Sequence, residues 1–340
     1  MERWNKTLEI RTSPHILSGN SVDAIMFNVV LALLPVCAFA VYAFGLAGAL
    51  TLSVALASCV LTEHVLAIRS GRSTTIGDWS AVITGLLYGL TLPPSLPLWM
   101  NAVGGIVAMV LGKALFGGLG ANPFNPALIG RAILQAAFPV AMTTWIPGFT
   151  QGRFTSLPSS TLTLPFTGPV YDGLTGATPL AAWKFDRQLA EWSDLATGFV
   201  SGSSGETSGV LLIIGGIYLL SRNMMDWRIP VSILATVALF TGLLHLAAPE
   251  SYAPPLFMLF SGGLLLGAIF MATDMVSSPM TSFGAVLYGI IIGVMTVVIR
   301  VWGGLPEGVM YAILFGNALA PHLDRLIQPT VYGTTVKGRT

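Results

Sequence analysis

The residue with the most distinctive chemical setting is Thr178, which ends the segment DGLTGAT that starts at Asp172. Asp-Gly is typical of a turn, and a threonine directly before Pro179 is typical of a helix N-cap with proline at the first helical position. The small residues Gly176 and Ala177 also leave the hydroxyl unhindered, so a modifying enzyme could grip the segment in extended form and use the threonine as an acceptor. On the residues alone both interpretations are open.

A second candidate site is the stretch of small residues before the sixth apolar segment. Its members are Gly202, Ser203, Gly205, Glu206 and Thr207. Small residues expose backbone amides where a helix N-terminus directs its dipole, and such places bind phosphate groups. A helix entry is the more frequent arrangement, with Ser204 or Thr207 as the cap and Glu206 countering the dipole. We favour the helix entry.

Charged side chains inside or beside apolar segments are a third signal, because each costs about 2.5–3.5 kcal/mol in hydrocarbon unless it is paired or hydrated. Most lie near segment ends, where snorkelling or helix capping explains them. Glu63 and Asp274 are the best candidates for an ion path. The two cysteines, Cys37 and Cys59, lack the spacing of a metal site, so no metal centre is predicted within this chain.

The composition places these residues in a membrane protein. Of 340 residues, 54% are hydrophobic and only 9% are charged, and the mean hydropathy is +0.76. A chain this apolar cannot hide its nonpolar surface in a water-soluble fold. The formal net charge of +1 offers no basic excess for phosphate backbones, so nucleic acid is not an expected partner. Membrane lipid and other proteins remain.

Ten segments are apolar enough to cross a bilayer as helices of roughly 20 residues. They are 24–45, 46–68, 79–92, 98–116, 126–145, 210–221, 229–246, 255–273, 282–302 and 306–327. The predicted fold is an all-α integral membrane protein with about ten transmembrane helices. Five crossings on each side of one long loop place the two halves in opposite orientations, as inverted repeats. The motifs GLLYG at Gly85 and GLLLG at Gly263, each followed by proline, support the repeat.

The long loop divides the chain into five predicted parts. They are a cytoplasmic N-terminal segment 1–23, a first five-helix half 24–145, a periplasmic loop 146–209, a second five-helix half 210–327 and a cytoplasmic tail 328–340. This orientation places most lysines and arginines on the cytoplasmic side, in agreement with the positive-inside rule. The predicted location is the bacterial inner membrane, with both termini cytoplasmic.

The pattern D-x-x-T-G-A-T, in which Asp172, Thr175, Gly176 and Ala177 precede Thr178, resembles the acceptor motif of periplasmic flavin transferases. These enzymes attach FMN through its phosphate to the last threonine. The layout of the whole chain, and the stretches before the sixth and the last apolar segments, are similar to RnfD, the D component of the Rnf electron-transport complex. The resemblance implies a covalent FMN on Thr178. It also implies an electron-transfer subunit of a complex that couples ferredoxin and NAD redox chemistry to sodium or proton translocation.

Membership of such a complex implies partners. They would include other membrane and peripheral subunits, among them a second covalent-flavin subunit and iron–sulfur subunits, and a flavin transferase during maturation. The sequence has neither a Walker motif nor a Rossmann fingerprint in a strand–helix context. The chain is therefore not expected to bind ATP or oxidise NADH itself, and no complete active site for turnover is predicted in it.

The resemblance further implies a noncovalent flavin, riboflavin, within the membrane domain, with Asn122 and Asn125 as possible contacts. A carboxamide offers both a donor and an acceptor, which suits the pyrimidine edge of a flavin. Alternatively, both asparagines cap the helix that starts at Pro126 and bond its free amides. The two interpretations carry equal weight.

Other functions remain open. NqrB, the B component of the sodium-translocating NADH:quinone reductase, shares the fold and the flavinylated threonine, but it usually carries a longer N-terminal extension. A solute transporter also uses inverted repeats and broken helices, but does not need a flavin acceptor motif. A scaffold that anchors redox partners would assemble without flavin.

Overall fold

The computed structural model describes residues 21–71, 76–165, 167, 176–198, 200–206 and 208–328, and all regular structure within these ranges is helical. The helices before the long loop are α1 (Val22–Phe44), α2 (Leu46–Arg69), α3 (Ser80–Leu90), α4 (Leu98–Gly112), α5 (Pro126–Ala137) and α6 (Pro139–Thr143). Those in and after the loop are α7 (Pro179–Ala181), α8 (Trp192–Thr197), α9 (Gly209–Ser221), α10 (Arg228–Ala247), α11 (Pro255–Phe260), α12 (Leu264–Leu266), α13 (Ser282–Trp302) and α14 (Val309–Leu326). The prediction of an all-α protein is confirmed for this part of the chain.

Within the described ranges, five helices are long and apolar enough to cross a membrane: α1, α2, α4 with the turn that follows it, α10 and α13. Large side chains such as Leu239 and Leu243 project outward from α10 and are mostly exposed. Surface of this kind is stable against lipid and costly against water. The protein is therefore a membrane protein. The other predicted crossings coincide with shorter or interrupted helices or, at 306–327, with the continuous but less apolar helix α14, so the count of ten stays a prediction.

A single residue, Gly45, connects α1 to α2. Its φ of +63° is unfavourable for a residue with a Cβ atom, and a methyl group there would overlap the carbonyl of Arg153 in the long loop. The amide of Leu46 donates to that same carbonyl over 2.9 Å. The loop is thus fixed directly onto the tip of the first helical hairpin.

Each half of the chain contains an interrupted segment. α3 ends at Leu90, ahead of two consecutive prolines, and α12 continues as a π-helical turn over Gly267–Met271 before an irregular stretch to Thr281. Between α4 and α5 the backbone turns through Gly117, Gly118 and Gly120, all with positive φ. Such interruptions leave backbone groups that need partners within a membrane. The candidate sites at Thr178 and at Asn122 lie beside such interruptions.

One pair of long helices packs closely in each half of the chain. α2 packs along α4, where a methyl group on Gly105 would collide with Ser58, and α10 packs along α13, where one on Gly289 would collide with Ser232. Small residues of this kind let the backbones of membrane helices approach. The halves meet where α1 contacts α9 and where α5 contacts α14.

Candidate functional site

Thr178 stands at the start of α7, and its hydroxyl accepts a hydrogen bond from the amide of Ala181 over 3.2 Å. Pro179 occupies the first helical position. The N-cap interpretation is therefore confirmed. The side chain is only 2% exposed. A modifying enzyme could not reach the hydroxyl in this conformation.

Two hydrogen bonds fix the backbone of the residues directly before Thr178. The amide of Gly176 donates to the carbonyl of Trp145 over 2.9 Å, and the hydroxyl of Ser201 donates to the carbonyl of Ala177 over 3.2 Å. Two further members of the predicted acceptor motif, Asp172 and Thr175, lie outside the described residues.

The side chain of Thr178 lines a narrow cleft of about 50 Å³ between the loop and the last helices. Arg131 of α5 and Glu307, just before α14, line the same cleft. A space of this size holds a few atoms, because one water needs roughly 10–15 Å³ by a comparable measure. It can take a small polar group, and a tricyclic ring must lie outside it.

Four charged residues from four separate parts of the chain meet behind this cleft. We call them the loop-side cluster: Arg131, Glu206, Arg300 and Glu307. Nη2 of Arg131 lies 2.7 Å from Oε2 of Glu307, and Oε1 of Glu307 accepts from the amide of Gly263 over 3.0 Å. Arg300 donates to the carbonyls of Met258 and Ser261 over 2.6 and 2.9 Å. All four residues are at least half-buried, so each charge depends on these partners.

Gly262 lies between α7 and the loop-side cluster. A methyl group on Gly262 would lie 2.7 Å from both Oε1 of Glu307 and Cδ1 of Leu180, and 3.1 Å from Nη2 of Arg300. The φ of Gly262 is +65°, so only glycine fits here without strain. The helix that begins after Thr178 is therefore packed onto the cluster.

Two loop residues complete the electrostatic setting. Burial, together with the neighbouring charge of Glu307, raises the pKa of Glu206, whose carboxyl accepts a hydrogen bond from Ser203 over 2.7 Å. Lys184 donates to three carbonyls at the junction of α13 and α14, those of Arg300, Gly303 and Leu305. Partial burial lowers the pKa of Lys184, but its carbonyl partners favour the charged form.

The stretch 202–206 leads into α9, and two of its backbone amides already have hydrogen-bond partners within the protein. The amides of Ser204 and Gly205 donate to the carbonyls of Leu92 and Leu90 at the end of α3, over 3.4 and 2.6 Å. They are not available to an anion. The cap of α9 is Ser208, whose hydroxyl accepts from Leu211 over 3.3 Å. The prediction of Ser204 as the cap is therefore wrong, because Ser204 lies four residues before Ser208; Thr207 lies outside the described residues.

The two asparagines differ in their roles. Oδ1 of Asn125 accepts from the amide of Ala127 over 3.0 Å, so Asn125 caps α5, and its Nδ2 donates to the carbonyl of Met271 over 3.2 Å. Asn122 does not cap the helix. Its Nδ2 donates to the carbonyl of Phe124 over 3.2 Å and reaches Oδ2 of Asp274 at 3.5 Å.

A largely apolar cavity of about 100 Å³ lies beside these asparagines, and we call it the Asn122 pocket. Its lining includes Lys113, Asn122, Asn125, Phe270 and Asp274. Asp274 also accepts from the amide of Val276 over 3.2 Å. The pocket therefore joins an irregular segment of the first half to one of the second half.

Glu63 reaches this pocket through Lys113. The ammonium of Lys113 lies 2.5 Å from Oε1 of Glu63 and 2.6 Å from the hydroxyl of Ser80, which in turn donates to Asp78. Glu63 and Asp274, the two predicted ion-path residues, are thus associated with one cavity. Whether ions pass there stays a prediction.

Sequence reasoning assigned no role to Arg131, Arg300 or Glu307, although their charge within apolar segments is a visible signal. Charged residues inside membrane segments mark functional sites by default. What could not be read from the sequence is that the three converge with Glu206 beside Thr178. That convergence depends on how α5, α13 and the long loop pack.

Comparison with known proteins supports a family assignment. The family model described as NQR2, RnfD, RnfE matches residues 9–333. The chain is 39% identical, with 96% of each chain covered, to the D component of the Proton-translocating ferredoxin:NAD(+) oxidoreductase complex of Clostridium ljungdahlii. It is 40% identical, again with 96% of each chain covered, to the D component of the Na(+)-translocating ferredoxin:NAD(+) oxidoreductase complex of Acetobacterium woodii.

A third relative widens the range of organisms. The D component of the Ion-translocating oxidoreductase complex of Alcanivorax borkumensis is 38% identical, over 95% of this chain and 96% of its own. Similarity of this extent covers the helices, the long loop and both candidate sites. The resemblance stated from the motifs is therefore confirmed, and the chain belongs to the NQR2, RnfD, RnfE family.

Proposed function

We propose that this chain is a membrane electron-transfer subunit that carries FMN, esterified through its phosphate to Thr178, within a complex that couples ferredoxin and NAD redox chemistry to ion translocation. The observation that carries the proposal is Thr178 itself, which ends a flavin-acceptor pattern in a chain whose relatives are named as the D components of such complexes. FMN exchanges one or two electrons when bound. The protein contributes position and electrostatic environment.

The residues around Thr178 suit a phosphate ester. The cleft that Thr178 lines is small and mostly apolar, and it is bordered by a buried arginine whose guanidinium can bind phosphate oxygens. Because Thr178 is almost fully buried, attachment must precede the final packing of α7 or accompany a local opening of the loop. The flavin ring would lie outside the cleft, where a partner protein can approach it.

A second, noncovalent flavin fits the Asn122 pocket better than the loop. Riboflavin carries no phosphate, and the pocket offers an apolar lining with polar groups at one side, including Asn122 and Lys113. The cavity is smaller than the 300–1,000 Å³ typical of small-molecule sites. Binding would therefore require the flexible side chains of Met224 and Met225, which line it, to move aside.

The proposed topology has ten crossings in two inverted halves, cytoplasmic termini and a periplasmic loop in the bacterial inner membrane. The similar packing of α2 against α4 and of α10 against α13 supports the repeat. The proposed partners are iron–sulfur subunits, a second covalent-flavin subunit and, during maturation, a flavin transferase. The coupled ion is left as sodium or proton, since one relative is named for each.

Two alternatives make different predictions. The NqrB component of a sodium-translocating NADH:quinone reductase would also carry the flavin, but would assemble with a different set of proteins. A solute transporter would move a substrate in liposomes as a single chain, without bound flavin. Affinity purification of the native chain, followed by identification of its partners, separates these possibilities.

The test of the central proposal is a flavin assay on the denatured chain. The native protein, Thr178→Ala and the control Thr197→Ala, a threonine of the same loop, are expressed together with a flavin transferase. In-gel fluorescence under ultraviolet light and intact mass should reveal one FMN, less water, on the native and Thr197→Ala chains. Thr178→Ala should carry none. Covalent fluorescence that persists in Thr178→Ala would reject the assignment.

A further inference from the structure

The guanidinium of Arg131 has one donor that finds no acceptor among the described residues. Nη2 binds Glu307, but Nε is buried without a partner. Arg131 is only 7% exposed, and it borders the cleft that Thr178 enters. A buried donor without an acceptor is unfavourable enough that native structures rarely retain one. An acceptor bound beside Arg131 would satisfy this nitrogen, and the cleft is a space that Arg131 and Thr178 both line.

The charges around the cleft indicate the sign of the charge that a bound group would carry. Two arginines, Arg131 and Arg300, face two carboxyl groups, and a third cation, Lys184, binds the carbonyl of Arg300 beside them. Of these carboxyl groups, Glu307 is paired with Arg131, while burial and the neighbouring charge of Glu307 raise the pKa of Glu206. The described part of this region therefore has an excess of positive charge. Buried charges are normally compensated, so an anion would be stabilised here.

The size of the cleft limits what the anion can be. About 50 Å³ is enough for a phosphate group and far too little for a flavin ring. Thr178, whose hydroxyl would bear the ester, is among the residues that line the cleft. A phosphodiester attached there carries one negative charge, and arginine is the side chain best suited to bind phosphate oxygens.

We propose that Arg131 is a positioning residue that binds the phosphodiester joining FMN to Thr178. The inference rests on the proposed function and deepens it. Arg131 would fix the linkage between α7 and the loop-side cluster, while Glu307 holds the guanidinium in place at Nη2. Modification would then stabilise the fold, because it supplies the anion that the cluster lacks.

The experiment measures how much the attached flavin stabilises the full-length chain. Native protein is purified in detergent with and without co-expression of the flavin transferase, and intact mass verifies the modification. The thermal unfolding midpoint of each form is then recorded. The quantity of interest is the difference between the modified and unmodified forms, since a purely structural change lowers both equally.

Three variants are compared with the native chain. Arg131→Gln/Glu307→Gln removes both charges of the ion pair and leaves no unpaired carboxylate. Arg131→Lys retains the charge, and Arg187→Gln is a matched control, because Arg187 lies in the same loop and donates to the carbonyl of Ser251 instead. Modification should raise the midpoint by about 2–4 °C in the native chain and in Arg187→Gln. Arg131→Lys should retain at least half of this gain, and the double variant should lose it.

The possible failures are distinguishable. If intact mass reveals no FMN on the native chain, the proposed function fails. If FMN is attached but the double variant gains as much as the native chain, the role of Arg131 is overturned and the function stands. Should the double variant not accumulate, Glu307→Gln alone decides: it frees Arg131 from its carboxylate and should increase the gain. An unchanged or smaller gain would contradict the proposal.

Discussion

The loop-side cluster and the Asn122 pocket are formed by similarly placed elements of the two halves of the chain. Each contains a buried cation at the end of a long helix: Lys113 directly follows α4, and Arg300 lies in the last turn of α13. Each cation precedes an irregular segment that leads into the last long helix of its half, α5 or α14. The equivalence follows the packing of α2 with α4 and of α10 with α13.

The two regions differ in the balance of charge. Lys113 binds the carboxylate of Glu63 and the hydroxyl of Ser80, and Asp274 lines the same pocket, so acidic groups outnumber the cation. In the loop-side cluster two arginines face two carboxyl groups, of which Glu206 has a raised pKa, so the balance is shifted towards positive charge. The two sites are made from similarly placed elements, yet they would suit different ligands. The loop-side cluster would suit an anion, and the Asn122 pocket would suit an uncharged ring or a cation.

The largest effect should come from removing Arg131, which leaves the carboxylate of Glu307 buried without its arginine. Breaking a buried pair by deleting one partner costs about 3–5 kcal/mol. We expect Arg131→Met to lower the free energy of unfolding by about this amount. Denaturant unfolding in detergent, followed by intrinsic fluorescence, measures the change.

The matched control is Arg131→Met/Glu307→Gln, in which no charge is left alone. It should recover most of the stability, because removal of both members of a buried pair is often nearly neutral. Equal losses in the single and double variants would mean that Arg131 stabilises the fold by packing, and that its ion pair with Glu307 contributes little.

The next effect concerns pH, and it tests whether Glu206 is protonated in the folded protein. Burial and the charge of Glu307 raise the pKa of Glu206 above its ordinary value of 4.5. The folded state then binds a proton that the unfolded state has lost. Its stabilising contribution is complete below the unfolded pKa and is lost as pH rises through the folded pKa.

Glu206→Gln imitates the protonated carboxyl without titrating. Between the unfolded and folded pKa values, the native chain should lose stability relative to this variant by at most about 1.4 kcal/mol per pH unit. Unfolding midpoints recorded for both chains from mildly acidic to alkaline pH provide the measurement. Parallel curves would contradict a proton on Glu206, and with it the positive excess of the loop-side cluster.

The long helices and the cap at Thr178 could be predicted from the sequence, because both depend on local patterns. Apolar runs over 24–45 and 282–302 correspond to α1 and α13, with ends displaced by a few residues at most. Thr178 before Pro179 is a cap whose geometry is set within four residues. Local sequence determines features of this kind.

The loop-side cluster could not be predicted, because its members lie far apart in the sequence, from Arg131 to Glu307. Only the packed structure places them together. The cap of α9 was misplaced for a related reason: the amides of Ser204 and Gly205 are bound by carbonyls of α3 and the turn after it, about a hundred residues away in the sequence. Local capping rules take no account of partners so far away in the sequence. Amides that could have bound a phosphate are instead hydrogen-bonded to carbonyls within the protein.

The smallest of the expected effects separates the two asparagines of the Asn122 pocket. Asn125→Ala removes the cap of α5 and the hydrogen bond to Met271, and should cost about 1 kcal/mol of stability, since N-cap losses range over roughly 0.5–2 kcal/mol. Asn122→Ala leaves the cap intact and should cost less. Thermal unfolding of the purified chains measures both.

Asn122 should matter more for a ligand than for the fold, because its side chain connects the pocket to Asp274 rather than to the helix. Noncovalent flavin, released by acid from the purified chain and quantified by fluorescence, should therefore decrease more in Asn122→Ala than in Asn125→Ala. The reverse order would indicate that the pocket depends on the helix start alone. Equal retention in both would remove the asparagines from the site and leave Lys113 as the polar group against which an uncharged ring would bind.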